Sequence, residues 1–461
     1  MYNSVIAAIS TPPGKGGVAL IRMSGEGAFL LARKIFIPKS KRDIESYPKR
    51  SEIYGDIVYG GEVLDDGMIA LFPAPNSYTG EDVVEFSIHG GILNTERVLE
   101  SLFKLGARQA EAGEFTRRAF INGKLSLTEA EAIGTLLEAK SYEQLKLSGA
   151  TARKRLNEKV ESIRAKMREL LSSMYARIDY PDEDLGDFTS EECQKRLESI
   201  IFDLTALQKS YRTGKAICEG INTVICGKPN VGKSSLYNLI FNEDLAIVTD
   251  IAGTTRDVLT GQVPLGRVML NLSDTAGIRS DGDAEAVEKI GIERAKNRIS
   301  ECELLICVFD ASRPLSSEDE EIFSLKASLS KEAIAVVNKC DLDLVLEKQK
   351  IEAAFEHVIY ISTKDELNAK EKLSNLVNEL FTDGKITSSD EGIISTARQN
   401  ARIVRALELI ESALLAFKLG IAQDAASSDV ELALGEIGEL DGRGVSEEIV
   451  SDIFSKFCVG K

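Results

Sequence analysis

The sequence is poor in the features of metal, membrane and disulfide-stabilised proteins. It has two histidines among 461 residues and no Cys-x-x-Cys, which argues against a zinc or histidine-built metal site. No run of about 18 apolar residues occurs, so we expect no transmembrane helix. The start, MYNSVIAAISTPPGKGG, has no basic region before its short apolar run and predicts no signal peptide. Seven irregularly spaced cysteines do not suggest a disulfide framework and favour a reducing, cytoplasmic location.

The chain also lacks an excess of basic residues. Lys and Arg number 56 against 73 Asp and Glu, a net charge of -17. This balance argues against nucleic-acid binding by bulk charge, although it is compatible with a local basic patch. The hydrophobic content of 43% is that of an ordinary globular protein, and the length predicts two to four domains.

Three kinds of sequence pattern divide the chain. Residues 1–124 mix short β-rich runs, Gly/Pro turns and one helical stretch, which predicts an α+β domain. Residues 220–384 alternate strand-like and helical runs, the pattern of a mostly parallel α/β sheet. The segments 125–219 and 385–461 are helical, and neither is a complete bundle alone. We therefore predict a multidomain α/β plus α protein, in which the two helical segments form one domain and residues 220–384 are inserted into it.

Local signals place helix boundaries in the first helical segment. Thr128 with Glu131 and Thr189 with Glu192 have the spacing of capping boxes. Pro181, in DYPDED, is expected to end the helices between these two positions.

A phosphate-binding loop opens the inserted domain. GKPNVGKSS begins at Gly227, directly after the apolar run TVIC, and continues into the helical LYNLI, which is the strand-loop-helix setting that the motif requires. Its glycines let the backbone amides wrap the phosphates. Lys233 is expected to reach the β- and γ-phosphates, and the Ser234 hydroxyl to bind Mg²⁺.

Three further motifs follow in the order found in GTPases. DTAG at 274–277 supplies Asp274 for Mg²⁺ and the Gly277 amide for the γ-phosphate. NKCD at 338–341 selects the base, because the Asp341 carboxylate can accept hydrogen bonds from guanine N1–H and the N2 amine, whereas adenine offers no such pair. STK at 362–364 fits the loop that contacts guanine O6. The four motifs predict a GTPase domain.

The predicted GTP-binding residues come from these motifs and from the segment TDIAGTT. They are Asn230, Val231, Gly232, Lys233, Ser234, Ser235, Thr249, Asp250, Ile251, Ala252, Gly253, Thr254, Thr255, Asp274, Thr275, Ala276, Gly277, Asn338, Lys339, Asp341, Ser362, Thr363 and Lys364.

The residue after DTAG is unusual for a GTPase. It is Ile278, where Ras-like enzymes have a glutamine that orients the attacking water. Hydrolysis must therefore use another group or be very slow. TDIAGTTRDV is the candidate switch, with Thr255 completing the Mg²⁺ shell. Glu288, in EAVEKIGIERA, is the candidate that positions the water; the alternative is a solvated charge on a helix surface.

Together these motifs resemble the MnmE (TrmE) family of tRNA-modification GTPases. The resemblance covers the whole chain and includes AAISTPPGKGGVALIRMSG, PNSYTGEDVVEFSIHGG, GEFTRRAFINGKLSLTEAEAI and the terminal FCVGK. The sequence departs from the family pattern at Val459, where a larger aliphatic residue is usual, and in a long loop between Arg279 and Val287. Neither departure changes a chemical group.

The resemblance implies a GTPase whose inserted domains dimerise face to face, with K⁺ in place of an arginine finger. The positions that match the family's K⁺ ligands are Asn230, Thr249, Ile251 and Thr254. A cage of hard oxygens suits this ion, which neutralises charge developing between the β- and γ-phosphates. By residue type alone, Asn230 fits a turn residue better than a cation ligand.

The resemblance further implies that the N-terminal domain mediates constitutive homodimerisation and binds 5-formyl-tetrahydrofolate or a related one-carbon folate. The matching positions are Arg22, Glu85, Lys124 and, from the tail, Lys461. From sequence alone, Arg22, Glu85 and Lys124 fit ordinary surface charges better. It also implies a flavin-dependent partner protein of the MnmG (GidA) kind and tRNA as substrate.

The cysteine of FCVGK has two interpretations. A lone cysteine is commonly a small buried hydrophobe, but Cys458 follows a helical run and precedes a glycine and a lysine. We predict that the tail inserts at the folate-binding face and that Cys458 serves tRNA modification and not GTP hydrolysis.

Two other functions are considered. A ribosome-assembly GTPase shares the phosphate-loop, GTTRD and DTAG motifs but should carry a basic RNA-binding module, which this acidic chain lacks. The second is a non-enzymatic, GTP-dependent dimerisation scaffold. An experiment distinguishes it from the enzyme, because only the enzyme's absence should leave wobble uridines unmodified.

Overall fold

The computed structural model describes most of the chain, in eight segments: residues 4–152, 154–179, 189–241, 260–273, 300–329, 331–382, 392–420 and 423–461. Pro181 lies outside them. The chain divides into two compact units, Met1–Gly134 with Gly438–Lys461, and Thr135–Ile437. The finer division into three domains stays a prediction. Within the described segments, no helix is long and apolar enough to cross a membrane.

The first unit is built on a seven-stranded sheet. Its strands are β1 (Ile6–Ile9), β2 (Val18–Ser24), β3 (Phe36–Pro38), β4 (Glu52–Tyr59), β5 (Glu62–Phe72), β6 (Val83–His89) and β7 (Arg108–Gln109). Its helices are α1 (Ala28–Ile35), α2 (Ile92–Lys104), α3 (Glu114–Ile121), the larger part of α4 (Leu127–Leu137), and α14 (Glu447–Ser455) near the C-terminus. The strand order is β3-β4-β5-β6-β2-β1-β7, antiparallel except for the β1–β7 pair.

Alternation along the central strands decides which side chains reach the core of this unit. Ile21 and Met23 on β2 are buried together with Phe86 on β6. Because successive side chains of a strand point to opposite faces, Arg22 and Glu85 lie on the other face, where they are direct partners in the β2–β6 register. This face carries the polar pair described below.

The second unit contains a six-stranded sheet and most of the helices. Its strands are β8 (Ile221–Cys226), β9 (Thr260–Leu265), β10 (Val268–Ser273), β11 (Leu304–Asp310), β12 (Glu332–Asn338) and β13 (His357–Tyr360). Its helices are α5 (Tyr142–Ala152), α6 (Arg155–Asp179), α7 (Ser190–Cys218), α8 (Lys233–Ile240), α9 (Ser317–Ser328), α10 (Lys348–Ala354), α11 (Glu366–Phe381), α12 (Ala397–Lys418) and nearly all of α13 (Gln423–Leu440).

The predicted fold class is confirmed, with one strand that the sequence pattern did not indicate. The strand order is β13-β12-β11-β8-β10-β9, and all neighbours are parallel except β9, which forms an antiparallel edge with β10. All seven residues of β11 are buried, as expected for a central strand covered on both faces.

Helix α7 begins where the sequence predicts and packs against a helix far along the chain. The Thr189 hydroxyl accepts a hydrogen bond from the Glu192 amide at 3.2 Å, as an N-cap residue does. Helix α12 lies along α7, and Lys418 forms an ion pair with Glu198 at 3.4 Å. A helix that precedes the sheet in the sequence therefore packs against one that follows it.

The capping box predicted for α4 is wrong by two residues. The Ser126 amide donates to a Glu129 carboxylate oxygen at 2.7 Å, and the Glu129 amide donates to the Ser126 hydroxyl at 3.1 Å. Thr128, which the prediction paired with Glu131, lies inside the helix and donates its hydroxyl to the Leu440 carbonyl at 2.7 Å. Both pairs have the same spacing, and this tertiary hydrogen bond occupies the Thr128 hydroxyl.

Candidate functional site

The phosphate loop connects β8 to α8 in a conformation that needs glycine. Gly232 has φ +104°, and a Cβ there would lie 2.2 Å from Nδ2 of Asn338. Asn230 also has a positive φ, 64°, a conformation that asparagine tolerates better than most residues. The Lys233 ammonium donates to the carbonyls of Gly227 and Lys228, both at 2.8 Å. The predicted phosphate lysine therefore lies across the loop that it is expected to serve.

Asn338 links the phosphate loop to the loops that are predicted to bind the base. Its side chain is 1% exposed; Nδ2 donates to the Val231 carbonyl at 3.0 Å, and Oδ1 accepts from the Thr363 amide at 3.1 Å. One buried amide thus joins the end of β12 to the loops that follow β8 and β13. These three strands run parallel in one sheet, so their carboxyl ends lie at the same edge. Three of the predicted motifs meet there.

Lys339 makes a second connection to the phosphate loop. Its ammonium donates to the Asn230 carbonyl at 2.7 Å and to the Asp310 carboxylate at 2.6 Å. Burial pushes the pKa of Asp310 up, but hydrogen bonds from Lys339 and Ser312 outweigh it and leave the pKa below its ordinary value. Asp310 therefore stays ionised and holds Lys339 in place, a role that the sequence motifs did not indicate.

The predicted guanine clamp is organised by two neighbours. Asp341 accepts from the Ser362 hydroxyl and from the Lys364 ammonium, each at 2.7 Å. These hydrogen bonds, the one from Lys364 foremost, lower the pKa of Asp341. The carboxylate is thus ionised at neutral pH and oriented by the STK loop.

The remaining predicted nucleotide ligands are only partly within the described segments. Ser234 and Ser235 lie in the first turn of α8 and are exposed. The Ser234 hydroxyl, a hard oxygen donor directly after the phosphate loop, fits a Mg²⁺ ligand. The other predicted residues lie outside the described segments: Thr249, Asp250, Ile251, Ala252, Gly253, Thr254, Thr255, Asp274, Thr275, Ala276, Gly277, Ile278 and Glu288.

In the first unit, Arg22 lies within a polar and aromatic setting. Its Nε donates to the Glu85 carboxylate at 2.8 Å, and these side chains are 16% and 25% exposed. The guanidinium also lies 5.5 Å from the ring centre of Tyr78 and 5.7 Å from that of Phe115. The sequence motifs contained these aromatic residues, but no spacing rule assigned them to the site. The exposed Lys124 donates to the Pro75 carbonyl at 2.8 Å.

The C-terminal tail is paired with the segment that carries Phe115. Val459 forms an antiparallel bridge with Ala112, and the Lys461 carbonyl accepts from the Phe115 amide at 3.2 Å. Cys458 is exposed. The tail thus lies beside Phe115, whose ring contacts Arg22.

The other cysteines give no evidence of a second reactive site. All seven are free thiols. Cys302 and Cys307 are buried, and burial raises the pKa of the Cys302 thiol. Cys340 is exposed.

Comparisons with known proteins cover the full chain. The family model "GTP-binding protein TrmE N-terminus" matches residues 5–124, and "MnmE helical domain" matches residues 127–458. The tRNA modification GTPase MnmE of Carboxydothermus hydrogenoformans is 38% identical over 467 residues, covering 100% of both chains. That of Clostridioides difficile is 38% identical over 461 residues, covering 100% of this chain and 99% of its own. A crystal structure of Era from Aquifex aeolicus is 25% identical and covers 41% of this chain and 65% of its own; its TM-score of 0.28 supports no conclusion.

Proposed function

Because the chain belongs to the MnmE (TrmE) family of tRNA-modification GTPases, we propose that it hydrolyses GTP in the modification of the tRNA wobble uridine. The observation that carries the proposal is the 38% identity over the full length, with the family's nucleotide motifs intact. The ionised Asp341, oriented by Ser362 and Lys364, supports guanine selection. The product group is an aminomethyl-type substituent at uridine C5.

The chain's own residues divide the work of GTP binding. Lys233 moves from the loop carbonyls to the β- and γ-phosphates, and the amides of the loop orient them. Ser234, with Thr255, would hold Mg²⁺, which supplies charge neutralisation at the phosphates. Asn230, Thr249, Ile251 and Thr254 would hold K⁺, which supplies further positive charge. Glu288 orients the attacking water.

The first unit is proposed to hold the one-carbon folate. Arg22 and Lys124, with Lys461, suit an anionic glutamate tail, and the Glu85 carboxylate suits the amino and ring N–H groups of a pterin. The half-buried Arg22–Glu85 pair beside two aromatic rings fits a flat, polar ligand. The folate supplies the one-carbon unit. Homodimerisation and a flavin-dependent partner protein complete the enzyme. Cys458 acts in tRNA modification.

A nucleotide assay tests the GTPase part of the proposal. Purified protein should hydrolyse GTP in Mg²⁺ and K⁺ and should not hydrolyse ATP, since adenine leaves the Asp341 carboxylate unsatisfied. Lys233→Ala should abolish turnover. Equal turnover of ATP and GTP, or full activity in Lys233→Ala, would contradict it.

A further inference from the structure

The ring of Phe457 lies in a space that two glycines leave open. A Cβ on Gly134, in helix α4, would lie 3.2 Å from Cζ of the Phe457 ring. A Cβ on Gly113 would lie 3.0 Å from Cβ of Phe457 and 2.5 Å from the Phe454 carbonyl. The ring centre of Phe457 lies 5.6 Å from that of Phe454. Any larger residue at either glycine therefore crowds the ring or the backbone beside it.

The backbone after Phe457 is held at three successive residues. The Cys458 carbonyl accepts from the Gly113 amide at 3.4 Å, and Val459 bridges to Ala112. The buried Gly460 accepts from the Ser10 hydroxyl at 3.0 Å. A Cβ on Gly460 would lie 2.3 Å from the Ile9 carbonyl, so the tail passes close to the end of β1.

Cys458 lies between Phe457 and Val459, the residue that bridges to Ala112. Its backbone is fixed on both sides while its side chain is exposed. Short terminal segments are otherwise poorly ordered, so a fixed position for this thiol requires contacts of this kind. Phe457, which directly precedes Cys458, is half-buried and packs against Gly113 and Gly134.

We infer that Phe457, seated against Gly113 and Gly134, is a positioning residue that holds Cys458 in place for tRNA modification. The inference rests on the proposed role of Cys458. It assigns no chemistry to Phe457, which acts through the backbone of its neighbour.

The variant Gly134→Leu separates positioning from folding. Leucine is the better helix former, so this substitution should not weaken α4 by itself, but its side chain needs the space of the Phe457 ring. Gly435→Leu is the matched control, since Gly435 is also helical and, in the described part of the chain, no atom beyond its own helical turn lies within 4 Å of its Cβ position. Phe457→Ala removes the ring instead of displacing it.

Four readouts are measured on the full-length protein. Tryptic cleavage after Lys456, followed by mass spectrometry, reports whether the tail is docked, because a protease must draw the flanking residues into an extended conformation. Wobble-uridine modification in a strain that lacks the native gene reports function. K⁺-stimulated GTPase activity and the melting temperature report the rest of the fold.

We expect Gly134→Leu and Phe457→Ala to speed cleavage at least about tenfold and to lower modification at least about tenfold, with GTPase activity within about twofold of wild type. Gly435→Leu should match wild type. Unchanged cleavage, or faster cleavage with full modification, overturns the inference. If Cys458→Ser also keeps full modification, the proposed role of Cys458 has failed and the positioning role of Phe457 fails with it. If only Cys458→Ser loses modification, the proposed function stands and only the role of Phe457 is rejected.

Discussion

The ammonium of Lys228, in the phosphate loop, lies 2.5 Å from Oδ2 of Asp319, in the first turn of α9. Asp319 is 1% exposed and Lys228 13%. The same oxygen accepts from the amide and hydroxyl of Ser316, both at 2.9 Å. One carboxylate therefore caps α9 and binds the phosphate loop, although 91 residues separate it from Lys228.

Breaking this pair should destabilise the second unit. Asp319→Asn keeps an oxygen for Ser316 but leaves the Lys228 charge buried, so we expect a loss of about 3–5 kcal/mol in the free energy of unfolding. Lys228→Met in the same protein should recover most of the loss. Denaturant unfolding measures both, and Glu408→Ala, in the exposed Arg405–Glu408 pair, is a control expected to cost under about 1 kcal/mol. A cost as small for Asp319→Asn would refute the argument.

Asp341→Asn should weaken GTP binding. The carboxylate is proposed to accept two guanine N–H groups, so losing charge-assisted hydrogen bonds of about 1.5–3 kcal/mol each predicts at least about 100-fold weaker binding. Because hydrogen bonds from Lys364 and Ser362 lower the pKa of Asp341, wild-type affinity should not fall through protonation of this group until the pH is below the ordinary carboxyl range. Titration with a fluorescent GDP measures both effects. Retained tight binding in Asp341→Asn would exclude the clamp.

GTP hydrolysis should depend on the identity of the monovalent cation. Ile278 cannot orient water, and the Asn230 amide is a candidate ligand for K⁺. At equal ionic strength, kcat should be higher in K⁺ than in Na⁺, and Asn230→Ala should lose the difference. Asn230→Gly is the control for backbone strain, because glycine accepts the φ of 64° that alanine resists. Equal rates in both salts for wild type would reject the K⁺ site.

Glu288→Ala should lower kcat while GTP affinity stays nearly unchanged. The proposed role is confined to the transition state, so ground-state binding does not depend on it. Stopped-flow binding and steady-state turnover separate the two quantities. Unchanged turnover would make Glu288 a surface charge.

The sequence predicts the candidate site residues of the second unit but not the residues that support them. Lys233, Asn338 and Asp341 belong to motifs with fixed local spacing, and the parallel sheet brings them to one edge. Asp310 and Asp319 act through contacts with residues 29 and 91 positions away, which no local spacing encodes. The packing of Phe457 on two glycines depends on the same kind of long-range contact.

The edge strand β9 and the α4 cap show the other limit. The β9 sequence, TGQVPL, contains glycine and proline, which weaken the strand signal. Proline is tolerated there because β9 is an edge strand. The α4 cap was ambiguous because Ser126–Glu129 and Thr128–Glu131 have equal spacing, and tertiary contacts decide between such alternatives.

The most direct test of the central claim is mass spectrometry of tRNA from a strain that lacks the native gene and expresses this chain or its Cys458→Ser variant. The wild-type chain should restore the modified wobble uridine. Cys458→Ser should leave the uridine unmodified while the purified variant retains K⁺-stimulated GTP hydrolysis. Unmodified tRNA with the active wild-type chain would contradict the assignment to tRNA modification, and full restoration by Cys458→Ser would contradict the role of the tail thiol.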